Sequence, residues 1–385
     1  MNKQENLKLV FCYDSMSLQD SIYHLFLLAM QEKYKKKFTK ELLEWHEHVN
    51  ERDLPWKKER DPYKIWLSEV ILQQTRALQG LPYYLKFTEA YPTIKDLAGA
   101  KDDDVFRMWQ GLGYYNRCRN MLFTARYITE ELDGVFPNSY EKILNLKGVG
   151  TYTASAIASF AFGLPNAVVD GNVYRVLSRC YGIHTPFDTT EGKVEFSLLA
   201  GTLLDTTNSA AYNQAIMDLG ATVCKPTGAL CIECPVESIC YARKNDMVAQ
   251  LPVRSKKITV KKRYFNYLVI MFKDELLIHK RGGGDIWENL HEPYLVATPE
   301  VMQWEDIAST DVFKKLITGK YVVERMEKST QRLTHQVIDA TFYEIRLQQK
   351  DINCSEDFFW VEKKSLKNLA FPKTVLSFLK NNAYF

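Results

Sequence analysis

Four cysteines, Cys224, Cys231, Cys234 and Cys240, fall in one short stretch with the spacing C-x6-C-x2-C-x5-C. A disulfide framework of that density belongs to small secreted chains. This chain has 385 residues, 46% of them hydrophobic, which at roughly 100–200 residues per domain is enough for two or three full cores. Nothing resembles a secretory signal, and the first apolar run, Ile22 to Met30, contains His24 and is too short to span a bilayer. A reduced, cytoplasmic setting is therefore expected, in which the cysteines bind metal and Cys12, Cys118, Cys180 and Cys354 are scattered reduced thiols. Structural zinc usually takes two close cysteine pairs, and here there is one close pair and no histidine among the four. An iron–sulfur cluster on four thiolates fits better, with zinc as the alternative.

Upstream of the cysteines the pattern is mostly helical from Phe38 to Tyr241. Asp61-Pro62 is a helix start, a capping side chain followed by proline at the first helical position. The helix it opens is expected to run through Trp66-Leu67-Ser68-Glu69-Val70-Ile71-Leu72-Gln73-Gln74-Thr75. Ala154 to Phe162 is a second, small and apolar helix, opened by the turn Leu146-Lys147-Gly148-Val149-Gly150. Two glycines let a backbone turn tightly and approach another closely. The next helix then offers its first N–H groups to a phosphate oxygen, unless the turn is an ordinary interhelical one. Val169-Asp170-Gly171-Asn172 places one carboxylate where a loop meets a helix, which is also where a plain capping residue would sit.

The net charge of +3 excludes a uniformly cationic nucleic-acid coat, because the segment from Arg254 to Arg263 alone holds six basic residues and leaves the remainder at −3. Binding to nucleic acid would have to use local patches and oriented backbone amides. That basic segment reads as a linker or as a tracker of a phosphate backbone. Beyond it the periodicity changes. Tyr267 to Phe272 and Leu276 to His279 flank Lys273-Asp274-Glu275 as a β-hairpin. Thr341 to Ile345 and Phe358 to Val361 are further strands, and Pro372 to Leu379 is a last helix.

The turn at Leu146 to Gly150, the Val169 to Asn172 segment and the cysteine spacing together resemble the helix–hairpin–helix DNA glycosylases that carry an iron–sulfur cluster. Within them, Trp66 to Thr75 and Gly111-Leu112-Gly113-Tyr114-Tyr115 resemble the MutY family of adenine glycosylases. The resemblance implies a mostly α N-terminal glycosylase fold followed by an α+β Nudix-like C-terminal domain. The expected divisions are an N-terminal extension at 1–37, a helical domain at 38–250 with the cluster loop at 224–240, a basic linker at 251–263, and the Nudix-like domain at 264–385. The resemblance also implies one [4Fe–4S] cluster on Cys224, Cys231, Cys234 and Cys240. It implies action as a monomer on double-stranded DNA containing A:8-oxoguanine or A:G mispairs, in a bacterial-type cytoplasm at the nucleoid, with no membrane.

Breaking a bond between a sugar carbon and a base nitrogen calls for an acid at the base and a carboxylate beneath a sugar that becomes cationic. By the resemblance, Glu69 protonates the adenine, Asp170 stabilises the oxocarbenium-like sugar, and Tyr152 and Asn172 orient them. Glu69 lies among Leu67, Val70, Ile71 and Leu72, where desolvation is expected to raise its pKa. Strand-cutting relatives carry a lysine nucleophile two residues after Gly-Val-Gly; Tyr152 stands there in this chain, so a monofunctional enzyme is expected. Lys147, Gly148, Val149 and Gly150 hold the backbone. The resemblance makes Gln74 and Tyr114 the wedges that fill the gap left by the flipped base, with Thr75 and Leu112 beside them near the 8-oxoguanine. Trp56, Lys57 and Gln214 line the adenine pocket, though some members have Arg and Glu in place of Lys57 and Gln214. Thr334 and His335 sense the lesion, in a Leu333-Thr334-His335 segment where relatives often have Phe-Ser-His; a polar hairpin is the bland reading. Asp285, Glu288 and Glu292 do not form the clustered box of a working pyrophosphohydrolase. The rivals are a thymine-glycol-type glycosylase/lyase and a non-catalytic lesion sensor.

Overall fold

The computed structural model describes residues 34–255 and 260–384. Residues 1–33 of the N-terminal extension and the centre of the basic segment lie outside these residues, and Cys12 with them. No helix among the described residues is long and apolar enough to cross a membrane. The chain divides into two compact units that do not follow chain order: residues up to 53 join 163–255, and residues 54–162 join the C-terminal part from 256.

The first unit is helical. A helix over 34–48 packs Phe38 and Leu42 into a core with Val176, Phe196 and Leu219. The Gly171–Tyr181 helix is the centre of this unit, ended by Gly182 in the left-handed conformation that glycine favours. Asp218, fully buried on the Ser209–Thr222 helix, accepts from the Arg52 guanidinium at 2.7 Å and from Asn50 Nδ2 at 2.7 Å, which ties the end of the 34–53 segment to the core. The cysteine segment follows as two short 3-10 turns, Cys231–Glu233 and Glu237–Ile239.

The second unit begins with helices. Asp61 caps the Pro62–Leu72 helix by accepting from the Tyr63 amide at 2.9 Å, as its sequence foretells. The helix stops at Leu72, however, and Gln73 to Thr75 form a turn rather than its last residues. The Ala77–Ala90, Asp102–Trp109 and Asn116–Glu131 helices follow, and then the pair Tyr140–Leu144 and Thr151–Phe162 around the two-glycine turn.

Its C-terminal part is a seven-stranded sheet of β1 (Lys261–Phe272), β2 (Glu275–Lys280), β3 (His291–Glu292), β4 (Tyr294–Thr298), β5 (Tyr321–Arg332), β6 (Gln336–Leu347) and β7 (Phe358–Glu362). The order β3-β2-β1-β6-β5 has β4 added to β1 and β7 to β2; β1 and β6 run parallel and the other pairs antiparallel. The expected hairpin is β1–β2. Lys261, Lys262 and Arg263 belong to β1, so the basic segment is not linker to its end. Side chains of β1 alternate between two cores, as a strand covered on both faces requires. Phe265, Tyr267, Val269 and Met271 meet the Lys373–Asn381 helix, and Leu268 and Ile270 meet Ile307, Phe313 and Leu316 on two short helices.

Candidate active site and metal centre

Asp170 is the N-cap of the Gly171–Tyr181 helix. It accepts from the amides of Asn172 and Val173, each at 2.8 Å, and from Asn172 Nδ2 at 2.7 Å. The residue expected to be catalytic is thus the cap of its helix. The residue as a whole is half-buried, and the surrounding protein desolvates its carboxyl. That burial raises its carboxyl above the ordinary aspartate value, against the lowering effect of its donors and of nearby Arg175. Asn172 passes the constraint on. Its Oδ1 accepts from Arg175 Nη2 at 2.8 Å, and Arg175 also donates to the carbonyls of Gly220 (2.6 Å) and Cys224 (2.7 Å).

The four cysteines line one cavity together with Val176, Arg179 and Cys180. Burial pushes the Cys224 thiol up and that of Cys234 up to about 12, while the hydrogen bond from Cys180 holds Cys240 down to about 6. Buried Arg179 lines this cavity, and buried Arg175 adjoins it through the Cys224 carbonyl. Arg179 donates to Cys224 Sγ at 3.4 Å and to the carbonyls of Lys225 and Leu251. The hydrogen-bond acceptors of Arg175 and Arg179 are carbonyls, an amide and a sulfur, with no carboxylate among them. Buried cations need nearby negative charge. Asp170 supplies it near Arg175, and beside Arg179 thiolates, the form in which cysteine holds a metal, would supply it, although among the described residues no three such side chains converge on a single ion. Cys118, Cys180 and Cys354 are free thiols, the first two buried, as expected.

In the second unit Glu69 is buried, 6% exposed, on the Pro62–Leu72 helix. Trp56, half-buried on a short 3-10 turn with Lys57, packs edge-on against Tyr84 at 5.3 Å. Gln214 belongs to the first unit, where its amide donates to Asp218 at 3.3 Å. Tyr152 lies half-buried in the first turn of the Thr151–Phe162 helix.

That helix starts directly after the two-glycine turn. Gly148 has φ +80°, and a Cβ on it would lie 2.7 Å from Cβ of Asn120, so conformation and space both require glycine. Around Gly150 there is open space for another backbone. Lys147, Gly148 and Gly150 are exposed while Val149 is buried as the anchor. Thr124 Oγ1 donates to the Lys147 carbonyl at 2.9 Å, and the Lys147 ammonium rests 4.2 Å from the Phe123 ring centroid.

Gln74 and Tyr114 are both exposed and both left-handed, with φ of 55° and 47°. For residues with side chains this costs ~1 kcal/mol each and is common where function demands a fixed backbone. Between them lies Arg117, a residue the sequence reading did not single out, 9% exposed and spanning both turns. Thr75 lies beside this group, its hydroxyl 3.5 Å from Arg117 Nη2. Leu112, by contrast, is buried, and it is the Leu112 carbonyl that faces Arg117. Thr334 and His335 occupy the exposed turn between β5 and β6, and the Thr334 hydroxyl is hydrogen-bonded to that of Tyr114. Two residues 220 positions apart thus meet in one unit. Asp285 pairs with Arg263 and Arg281, Glu288 with Arg119, and buried Glu292 with Arg281 and His279, so all three carboxylates are committed to cationic partners.

Residues 67–200 match the HhH-GPD superfamily of base excision DNA repair proteins, and residues 266–381 match the NUDIX domain. The adenine DNA glycosylase of Buchnera aphidicola subsp. Baizongia pistaciae is 34% identical over 286 residues, covering 74% of this chain and 81% of that protein. Its counterpart from Buchnera aphidicola subsp. Schizaphis graminum is 31% identical over 89% of this chain and 98% of its own length. The human adenine DNA glycosylase is 42% identical over 249 residues, 62% of this chain and 45% of that one. Among solved structures, a thermostable thymine-DNA glycosylase superposes on 56% of this chain and 98% of its own, with a TM-score of 0.52 and 29% identity. With a helical region followed by a mixed sheet, and two relatives matched along 81% and 98% of their length, the chain belongs to the adenine DNA glycosylase family of base excision repair enzymes, in the HhH-GPD superfamily with a C-terminal NUDIX domain.

Proposed function

We propose that this enzyme hydrolyses the N-glycosidic bond of adenine mispaired with 8-oxoguanine or guanine and leaves the DNA strand intact. The observation that carries the reading is the setting of Asp170: a half-buried residue whose carboxyl is desolvated and aimed by three donors rather than cancelled by a direct ion pair. A carboxylate so placed stabilises positive charge developing on a sugar more strongly than one in water. Glu69, buried on its helix, is the proton donor to the leaving base, and Tyr152 and Asn172 position the sugar and Asp170. With Tyr152 where strand-cutting relatives carry lysine, no amine stands ready there to form a Schiff base.

Lys147 to Gly150 grip a phosphate through backbone amides, which holds DNA without reading its sequence. Gln74 and Tyr114 enter the stack as the adenine is extruded, Trp56, Lys57 and Gln214 receive it, and Thr334 and His335 read the opposite base. The Tyr114–Thr334 contact supports a joint role for the helical part and the sheet in the second unit. The NUDIX domain recognises rather than hydrolyses, since its candidate carboxylates are already paired. Cys224, Cys231, Cys234 and Cys240 would hold one [4Fe–4S] cluster, which supplies a rigid anchor for its loop rather than a reacting group. Arg175 and Arg179 balance the negative sulfurs.

One gel tests the reading. A duplex with A opposite 8-oxoguanine is incubated with enzyme, and half of it is then treated with hot alkali. Breakage only after alkali supports hydrolysis without strand cutting. Breakage without alkali would make the enzyme a lyase, and none in either lane a sensor.

A further inference from the structure

We infer that Arg117 is the positioning residue that fixes the two wedge-bearing turns as one rigid pair of prongs. This rests on the reading of Gln74 and Tyr114 as wedges, and it concerns what holds them. The Nη1 group of Arg117 donates to the carbonyls of Val70 (2.8 Å), Ile71 (2.9 Å) and Gln73 at the end of the helix that carries Glu69. Its Nη2 group donates to the carbonyls of Leu112 (3.2 Å) and Gly113 (3.3 Å). The guanidinium also lies 5.0 Å from the Trp109 ring centroid and 5.6 Å from that of Tyr114 itself.

Each part of this arrangement has a physical consequence. The last carbonyls of a helix lack partners within it and favour a cation, so Arg117 terminates the Pro62–Leu72 helix and draws Gln73 out of it. One planar fork then serves both segments at once, which a point charge on a flexible stem cannot do. Gln74 and Tyr114 directly follow the bonded residues Gln73 and Gly113, and both are left-handed with exposed side chains. Neither conformation is favoured by the residue itself, so the surroundings must impose it. Arg117 is the shared neighbour that touches both. Prongs held in place before DNA arrives lose no freedom when they enter the stack, so the benefit of Arg117 falls on base extrusion rather than on bond breaking.

The test compares Arg117→Lys with wild type in single-turnover excision from two duplexes. In one the adenine is paired with 8-oxoguanine; in the other it faces an abasic analogue, where extrusion costs less. The expected result is a folded variant with unchanged affinity for undamaged duplex. Its excision of the paired adenine falls at least about tenfold, and the deficit shrinks to roughly threefold or less on the unpaired one. Equal deficits on both substrates, or none on either, overturn the proposal. Tyr114→Ala and Gln74→Ala run beside it. If they lose paired excision selectively and Arg117→Lys does not, the proposal falls and the wedge reading stands; if none of the three does, both fall. Should Arg117→Lys not fold, Arg117→Gln takes its place, and failure of both to fold marks Arg117 as a core residue and overturns the proposal.

Discussion

Asp170 and Glu292 are both carboxylates in desolvated surroundings, one in each compact unit, and they are treated in opposite ways. Glu292 is 1% exposed and bonded to Arg281 Nη1 at 2.5 Å, with His279 at 3.3 Å and the Tyr267 hydroxyl at 3.1 Å. Its charge is cancelled and its oxygens are fully engaged. Asp170 is given backbone amides and one side-chain amide, while Arg175 reaches it through Asn172. The residue is only half-buried, and desolvation of its carboxyl raises its pKa. A paired buried carboxylate fixes the structure around it; one oriented by dipoles and left without a direct ion pair retains an unspent field for a substrate. The NUDIX domain is thus organised around a closed ionic network and the helical unit around an open one.

That contrast can be broken at either residue. Glu292→Gln leaves Arg281 without its closest counter-ion, and the expected cost is about 3 kcal/mol, the lower end for a broken buried pair because Asp285 also reaches Arg281. Denaturant unfolding checks it, and the bond-breaking rate per folded molecule should hold. Loss of excision without loss of stability would place Glu292 in the reaction. Cys231→Ser removes one of four proposed thiolate ligands. The expected outcome is loss of the brown colour and visible absorption of an iron–sulfur protein, with weaker folding of the cysteine segment. Colourless wild-type protein purified without oxygen would contradict the iron–sulfur assignment.

The pH dependence sharpens the comparison further. In the proposed role Asp170 acts as an anion, and its pKa is raised, so excision should fall with acid around a midpoint above the ordinary aspartate value of about 3.9. For stability the sign is opposite to that of a salt-bridged carboxylate. A raised pKa favours the folded state below the unfolded value, and this contribution is lost as pH rises through the folded value. Asp170→Asn should therefore be at least as stable as wild type at neutral pH, since asparagine can still cap the helix. The smallest effect belongs to the basic segment. Arg254 and Arg263 are already paired with Asp188 and Asp285, so only its lysines are expected to touch phosphate. Replacing Lys261 and Lys262 together should lower the slope of log affinity against log salt by about 1–2, equally for all sequences.

Local signals in the sequence carried far in some places. The Asp61-Pro62 start, the Gly148 turn, the Asp170 cap and the β1–β2 hairpin each depend on residues within a few positions, and each forms where its chemistry puts it. The failures have distant causes. Gln73 to Thr75 continue a helical pattern, and the helix ends because carbonyls there turn to Arg117, more than forty positions away. The strand β5, with Glu324, Arg325, Glu327 and Lys328, lacks apolar alternation because it is the edge of the sheet and most of its side chains face solvent. Leu112, expected beside Tyr114, brings its carbonyl to Arg117 there while its side chain is buried. Arg117, Arg175 and Arg179 look like solvated charges until the structure shows them buried against carbonyls, a property no spacing reveals. The pairing of Tyr114 with Thr334 likewise has no local signature.

The central claim is that Asp170 is the carboxylate beneath the sugar. It is tested most directly by single-turnover adenine release from an A:8-oxoguanine duplex by Asp170→Asn, in protein shown to be folded and to bind the duplex. The account predicts a fall of at least ~10²–10⁴-fold, the loss typical of one acid–base group. Release at close to the wild-type rate would contradict it.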